Sequence, residues 1–263
     1  MNLRGGLALV KKSLLCFMAS RGFFWTLALG WMMGPLVYLF VWIVAVGQGD
    51  ISGFERNDFI FYYLSLILVN QFTYPTSHWT VGDQIQIGTI STWLLRPIPV
   101  IYEAIGADLA VKLVTMPFVL VLTIGLGILL KCKITLAFET TLFFIVSVVL
   151  AQILRFLFAY TLALLAFWTQ RIQSLLAIND TFIFLFAGQV APVALLPGYL
   201  KQIAVILPFR SMLGFPIELL VGKLTSIEIM TGFIYQAIWI ILVVIVQQKI
   251  WRLGTRQYMA IGG

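Results

Sequence analysis

Charge is what this sequence has least of. Aspartate, glutamate, lysine and arginine make up 10% of its 263 residues against 61% hydrophobic residues, and the mean hydropathy is +1.02. Soluble chains carry about 25% charged residues, so a soluble domain is excluded. A spanning helix needs about 20 apolar residues. The length therefore holds several spans joined by short connections, with no room for a sizeable extramembrane domain.

Groups that carry chemistry are equally scarce. One histidine, His78, and two cysteines, Cys16 and Cys132 in different segments, provide neither a metal cluster nor a disulfide framework. There is no G-x-x-x-x-G-K-[ST] loop for ATP and no G-x-S-x-G elbow, and the carboxylates are scattered. An enzyme is not expected. The net charge of +7 sits mostly beside apolar segments, where it sets topology or meets anionic lipid rather than nucleic acid.

What is present is a series of apolar runs. Residues 3–20 place Leu7, Val10, Leu14 and Phe17 on one helical face, with Arg4 and Lys11 at its edge and Lys12 opposite. This suits an amphipathic interfacial helix over 1–22, retained rather than cleaved because Lys11 and Lys12 break its apolar run. A first span follows over 23–46, with Trp25 and Trp42 near its two ends. After an acidic connection, the run 59–79 is interrupted by Tyr62, Tyr63, Asn70, Gln71, Tyr74 and His78. Polar groups in hydrocarbon need a partner or water, so one side of this run faces a cavity or a neighbouring helix.

Further spans are expected over about 104–130, 136–168, 175–191 and 229–246. The first of these carries Asp108 and Lys112, spaced to pair on one face. Thr135 is read as opening the next helix. Arg155, deep in the fourth run, is expected to snorkel or to meet Asp108 or Glu103, and Asn179–Asp180 interrupt the fifth. Residues 190–210 are apolar but broken by Pro192, Pro197–Gly198 and Pro208. They fit either re-entrant helices or two interfacial ones. No internal repeat appears, and 1–263 reads as one domain.

Between the second and third runs lies 80–102, TVGDQIQIGTISTWLLRPIPVIY. Read as a helix, it sets Ile87, Ile90 and Leu94 on one side and Thr89 and Thr92 opposite. Gly88 interrupts it at modest cost, and Pro97 and Pro99 stop it. The plainer reading is a loop helix resting on lipid. Six spans put both termini on one side with 80–102. Nine basic residues fall there (Arg4, Lys11, Lys12, Arg21, Arg96, Arg171, Lys249, Arg252, Arg256) against six opposite, which makes that side cytoplasmic.

Three segments then carry a resemblance: 88–98 (GTISTWLLRPI), 188–192 (GQVAP) with Leu196-Pro197-Gly198, and Leu207-Pro208-Phe209-Arg210. With the order of elements, they make the chain similar to the ABC-2 type transporter permeases, specifically the bacterial six-span subgroup. The resemblance implies an all-α, polytopic fold of the ABC-2, or type V exporter, kind: six spans, an N-terminal amphipathic helix, a cytoplasmic coupling helix and extracellular re-entrant helices. It implies a bacterial plasma (inner) membrane location and export driven by ATP; for the cargo, the aromatic and amide residues of the second and fifth runs suit a small amphipathic or cationic compound, or a lipid or polysaccharide carrier. Partners would be a cytoplasmic ABC ATPase dimer, membrane lipid, and a second copy or, at least as readily, a different permease. This chain would hold no cofactor of its own; ATP and Mg would belong to the ATPase subunit. Asp83, Gly88, Arg96 and Pro97 would couple to the ATPase. Tyr62, Asn70, Tyr74 and Asn179 would line the substrate path, and Pro192, Pro197 and Gly198 would form the outer gate. The competing classes are an ATP-independent secondary transporter or channel and a membrane scaffold subunit.

Overall fold

In hydrocarbon every backbone donor needs an internal partner, and a helix supplies one within its own segment. The computed structural model describes residues 3–19, 21–134, 137–169 and 172–258, without the side chains of 3, 4, 19, 21, 23–28, 78 and 79. The readings placed on Thr135, Leu136 and Arg171, and on the side chains of Arg4, Arg21, Trp25 and His78, lie outside the described residues.

Eleven α-helices are described: α1 (Leu3–Ala19), α2 (Arg21–Val46), α3 (Arg56–Thr73), α4 (Asp83–Ile87), α5 (Ile90–Leu94), α6 (Val100–Leu129), α7 (Phe138–Leu164), α8 (Ile172–Phe186), α9 (Gly198–Ile206), α10 (Phe215–Val221) and α11 (Ser226–Gln257). Among the described residues, four stretches are long and apolar enough to cross a membrane: Leu29–Val46 in α2, Val100–Leu129, Phe138–Phe167 and Ser226–Gln257. The bent pair Gly198–Ile206 and Arg210–Val221, at 76°, would make a fifth. The protein is thus a multi-pass membrane protein. α8 is apolar but short, and the polar side chains of α3 keep it out of that class.

Two expectations change in detail. The connection after α2 holds a two-residue antiparallel hairpin, β1 (Asp50–Ile51) and β2 (Phe54–Glu55), turned by Ser52 and Gly53, both with positive φ, so the fold is nearly rather than wholly α. The last helix, expected over 229–246, runs on to Gln257. A capping box starts it, Glu228 N donating to Thr225 Oγ1 and Thr225 N to Glu228 Oε2. Its far end continues past the apolar run because Trp251 packs against Phe167, with ring centroids 6.2 Å apart.

The core is built around α3, which packs against α2, α6, α7 and α10. Phe59, Tyr62, Tyr63 and Leu66 on it are fully buried. A second cluster, at the other end of the bundle, joins Val81, Ile85 and Ile90 to Val100, Ala104, Phe156, Tyr160 and Leu164. α11 keeps Ile227, Met230, Ile234, Ile238 and Ile241 on an exposed stripe, as expected of a helix at the lipid-facing rim.

Candidate transport site and coupling elbow

Polar residues of α3 end in two separate arrangements. Gln71 Nε2 donates to Thr115 Oγ1 of α6 at 2.9 Å, a helix-to-helix bond of the plain kind. Asn70, one residue earlier, serves α7: Arg155 Nη1 donates to Asn70 Oδ1 and to Thr73 Oγ1, each at 2.8 Å. Arg155 is only 3% exposed. Its guanidinium carbon lies 5.4 Å from the centroid of the Tyr74 ring, which in turn lies 4.2 Å from that of Trp31 on α2.

The expected partners of Arg155 are committed elsewhere. Asp108 pairs with Lys112 one turn along α6, as the spacing indicates, and also accepts from Gln152 Nε2 at 2.8 Å and Thr76 N at 3.1 Å. Glu103, at the start of α6, pairs with Lys12 at 2.6 Å and Arg96 at 3.7 Å. No ion pair among the described residues includes Arg155. A buried cation with no carboxylate in contact is costly, and its Nε has no hydrogen-bond partner.

A cavity of about 430 Å³ opens beside this guanidinium, lined by Trp31, Pro35, Asn70, Tyr74, Arg155 and Asp180 among others. A smaller cleft that also includes Arg155 is lined by Tyr74, Asn179 and Asp180, and the Asn179 side-chain oxygen is buried without a partner. Of the four path residues read from the sequence, Asn70 and Tyr74 therefore share one cavity and Asn179 lines the adjoining cleft. Tyr62 lies apart: its hydroxyl donates to Gly188 O at 2.8 Å, and it lines a different cavity of about 190 Å³ with Arg210 and Glu218. Sequence reasoning noted Asp180 only as an interruption of the fifth run and passed over Trp31. The signal for Asp180 was an acidic residue inside an apolar run.

Segment 80–102 is not one helix. A π-helical turn (His78–Gly82) leads into α4, Gly88 ends it at φ +84°, and α5 then starts on a new axis. Glycine enters the left-handed region at no steric cost, so the interruption is a full corner. The corner also undoes the expected apolar face: Ile90 turns inward with Ile85 and is fully buried, whereas Ile87 (69% exposed) and Leu95 (88%) point out, with Leu94 and Ile98. Arg96 stays about half exposed beside Glu103, next to Pro97. Burial pushes the Asp83 carboxyl up. The result is an elbow whose inner residues anchor it and whose outer residues form an apolar surface.

At the other end, a 3₁₀ turn (Val193–Leu195) follows Pro192, and Pro197 caps α9, which begins at Gly198. Leu207 and Pro208 end α9, and a π-helical turn (Arg210–Gly214) leads into α10. Trp42 Nε1 and the Tyr63 hydroxyl both donate to Val190 O, at 2.8 and 2.7 Å. With the Tyr62 bond to Gly188 they fix the start of this segment to α2 and α3. The Arg210 guanidinium gives Nε and Nη2 to one oxygen of Glu218, at 3.0 and 2.6 Å.

No curated protein matches the chain. A family model described as ABC-2 family transporter protein matches residues 29–262, from within α2 to beyond the end of α11. That range covers the cavity, the elbow and the segment 188–221 together. The chain therefore belongs to the ABC-2 family of transporter membrane proteins, which are transport components partnered by an ABC ATPase rather than ATPases themselves.

Proposed function

We propose that this chain is one half of an ATP-driven exporter, moving a small amphipathic molecule or a lipid out of the cytoplasm. The observation that carries the reading is the elbow: Ile87, Leu94, Leu95 and Ile98 are exposed on a corner whose other side is anchored by Val81, Ile85 and Ile90. A projecting apolar surface on a fixed base can receive force from another subunit, and the chain has no nucleotide loop of its own.

In this reading α2, α3, α6, α7, α8 and α11 are the six spans. Both termini and the elbow are cytoplasmic in a bacterial inner membrane, and α9 with α10 forms a re-entrant pair that closes the outer end. Closure of an ATPase dimer on the elbow moves α3 and α6, which flank it in sequence, and so changes the cavity at Trp31 and Tyr74. Nucleotide shifts this equilibrium only through its preference for one state of the ATPase. The second half is another copy or a different permease.

Affinity purification of the tagged chain in mild detergent tests this. A P-loop ATPase should co-purify with vanadate-sensitive activity, and both should be lost in Leu95→Asp and Arg96→Glu while the chain itself elutes unchanged. Isolation of the chain alone in several detergents, with transport indifferent to ATP depletion, would overturn the proposal in favour of a secondary transporter or channel.

A further inference from the structure

We propose that the cavity beside Arg155 is a recognition site for an amphipathic monoanion, the guanidinium taking the anionic group and the Trp31–Tyr74 pair taking the apolar part. This rests on the transport reading and names the substrate class for that site.

The first ground is a buried cation that no carboxylate touches. α7 runs from Phe138 to Leu164, so Arg155 lies about 6 Å from its midpoint at the helical rise per residue. A cation at that depth is ordinarily paired. Here the neutral Asn70 and Thr73 take Nη1, no ion pair among the described residues reaches the group, and Nε is left without a partner. Asn70 and Thr73 orient the guanidinium without neutralising it. Asp180 and Asp108 act on it only from beyond contact distance, so the unpartnered Nε is left for an acceptor that enters the cavity.

The second ground is the shape of the surroundings. The cavity of about 430 Å³ falls within the ordinary range for small-molecule sites. Its wall toward α2 is Trp31 tilted at 36° against Tyr74, with Gly30, Gly34 and Pro35 leaving space beside the indole. An apolar or aromatic body has a shelf there, and its charged end meets the guanidinium.

The third ground sets the charge number. Asp180 of α8 lines both the cavity and the adjoining cleft, each of which also includes Arg155. A dianion would be repelled by this carboxylate. A permanently cationic compound would have to lie against the buried guanidinium, so the geometry disfavours the cationic class that the aromatic and amide residues suggested.

The experiment uses the full chain in lipid nanodiscs and three probes with one ring system: naphthalene-2-sulfonate, naphthalene-2-sulfonamide and 2-naphthyl-trimethylammonium. Binding is read by calorimetry. The sulfonate should bind at least about tenfold more tightly than the other two, the scale of one charge-assisted hydrogen bond. Arg155→Gln should erase that preference, Arg155→Lys should keep part of it, and Asp180→Asn should tighten sulfonate binding severalfold. The unmodified chain alone can overturn the proposal, if the cation or the sulfonamide binds as well as the sulfonate. So can an Asp180→Asn variant that binds the sulfonate more weakly. ATPase co-purification, read separately on the same samples, keeps the two ideas apart: an anion preference without any ATPase leaves the site and removes the exporter, and an ATPase without the preference does the reverse.

Discussion

The Tyr258 hydroxyl donates to the carbonyl oxygen of Gly88 at 2.7 Å, joining the end of α11 to the corner of the elbow across 170 residues of sequence. Phe167 braces the tyrosine ring edge-on, with centroids 5.8 Å apart. The C-terminal end is thus a strut for the corner, and the elbow is held from three sides: its own buried residues, the Glu103 ion pairs and this bond.

Tyr258→Phe removes the bond and keeps the ring. A single neutral hydrogen bond contributes about 0.5–1.5 kcal/mol, so global stability should fall only slightly. Hydrogen exchange should report the effect locally. Faster exchange over 83–98 with α6 unchanged is the expected pattern, and an elbow that exchanges as before would show that the strut carries no restraint.

Gly88 sits at φ +84°, where a Cβ is strained. Gly88→Ala should lower the melting temperature by the equivalent of about 1 kcal/mol or more and should weaken capture of the ATPase. Gly88→Asn, which tolerates the left-handed region better, should fall between the two. Equal behaviour of the alanine and asparagine variants would mean that the corner opens without penalty.

Arg210 and Glu218 are both under a tenth exposed and are joined by two hydrogen bonds. Removing one partner of such a pair leaves an uncompensated buried charge, a loss of about 3–5 kcal/mol. Glu218→Ala should therefore unfold at a much lower temperature by fluorescence-detected size exclusion. The double variant Arg210→Met with Glu218→Leu should recover most of the loss, because it leaves no buried charge behind.

Asp83 is the titrating group of the elbow, its carboxyl raised by burial. A raised carboxylate binds its proton more tightly in the folded chain than in the unfolded one. Its stability contribution is therefore full below the unfolded value of about 3.9 and is lost as pH rises through the folded one. Asp83→Asn never ionises. Its melting temperature should exceed the unmodified chain's at about pH 8, and the difference should vanish toward about pH 4. A constant difference across that range would place the effect in packing rather than ionisation.

Much of this arrangement can be read from the residues. The apolar runs of α2, α6, α7 and α11 set their helices, and the polar interruptions of the second run marked α3 as the helix with something to face. The Asp108–Lys112 pair follows from spacing alone. Three things do not. Gly88 looked like a mild flaw in one helix, because nothing local distinguishes a strained interior glycine from a left-handed corner until Tyr258 and the buried Ile90 are in place. Arg155 looked destined for a carboxylate, but Asp108 was already satisfied by a nearer lysine and Glu103 lies at the helix start. The third is Trp31, which reads as one more apolar residue of a span until Tyr74, 43 positions later, closes against it.

Trp42, Tyr62 and Tyr63 donate to the carbonyls of Gly188 and Val190, between 126 and 148 residues further along the chain. At a synthesis rate of roughly 5–20 residues per second, the acceptors leave the ribosome roughly 6–30 seconds after the donors. During that interval the first helical hairpin carries three unanswered polar groups in a poorly solvating environment. It stays provisional, open to chaperones and to wrong helix neighbours. Assembly of the end of the bundle away from the elbow is therefore timed by the late half of the chain, which locks the early half in place.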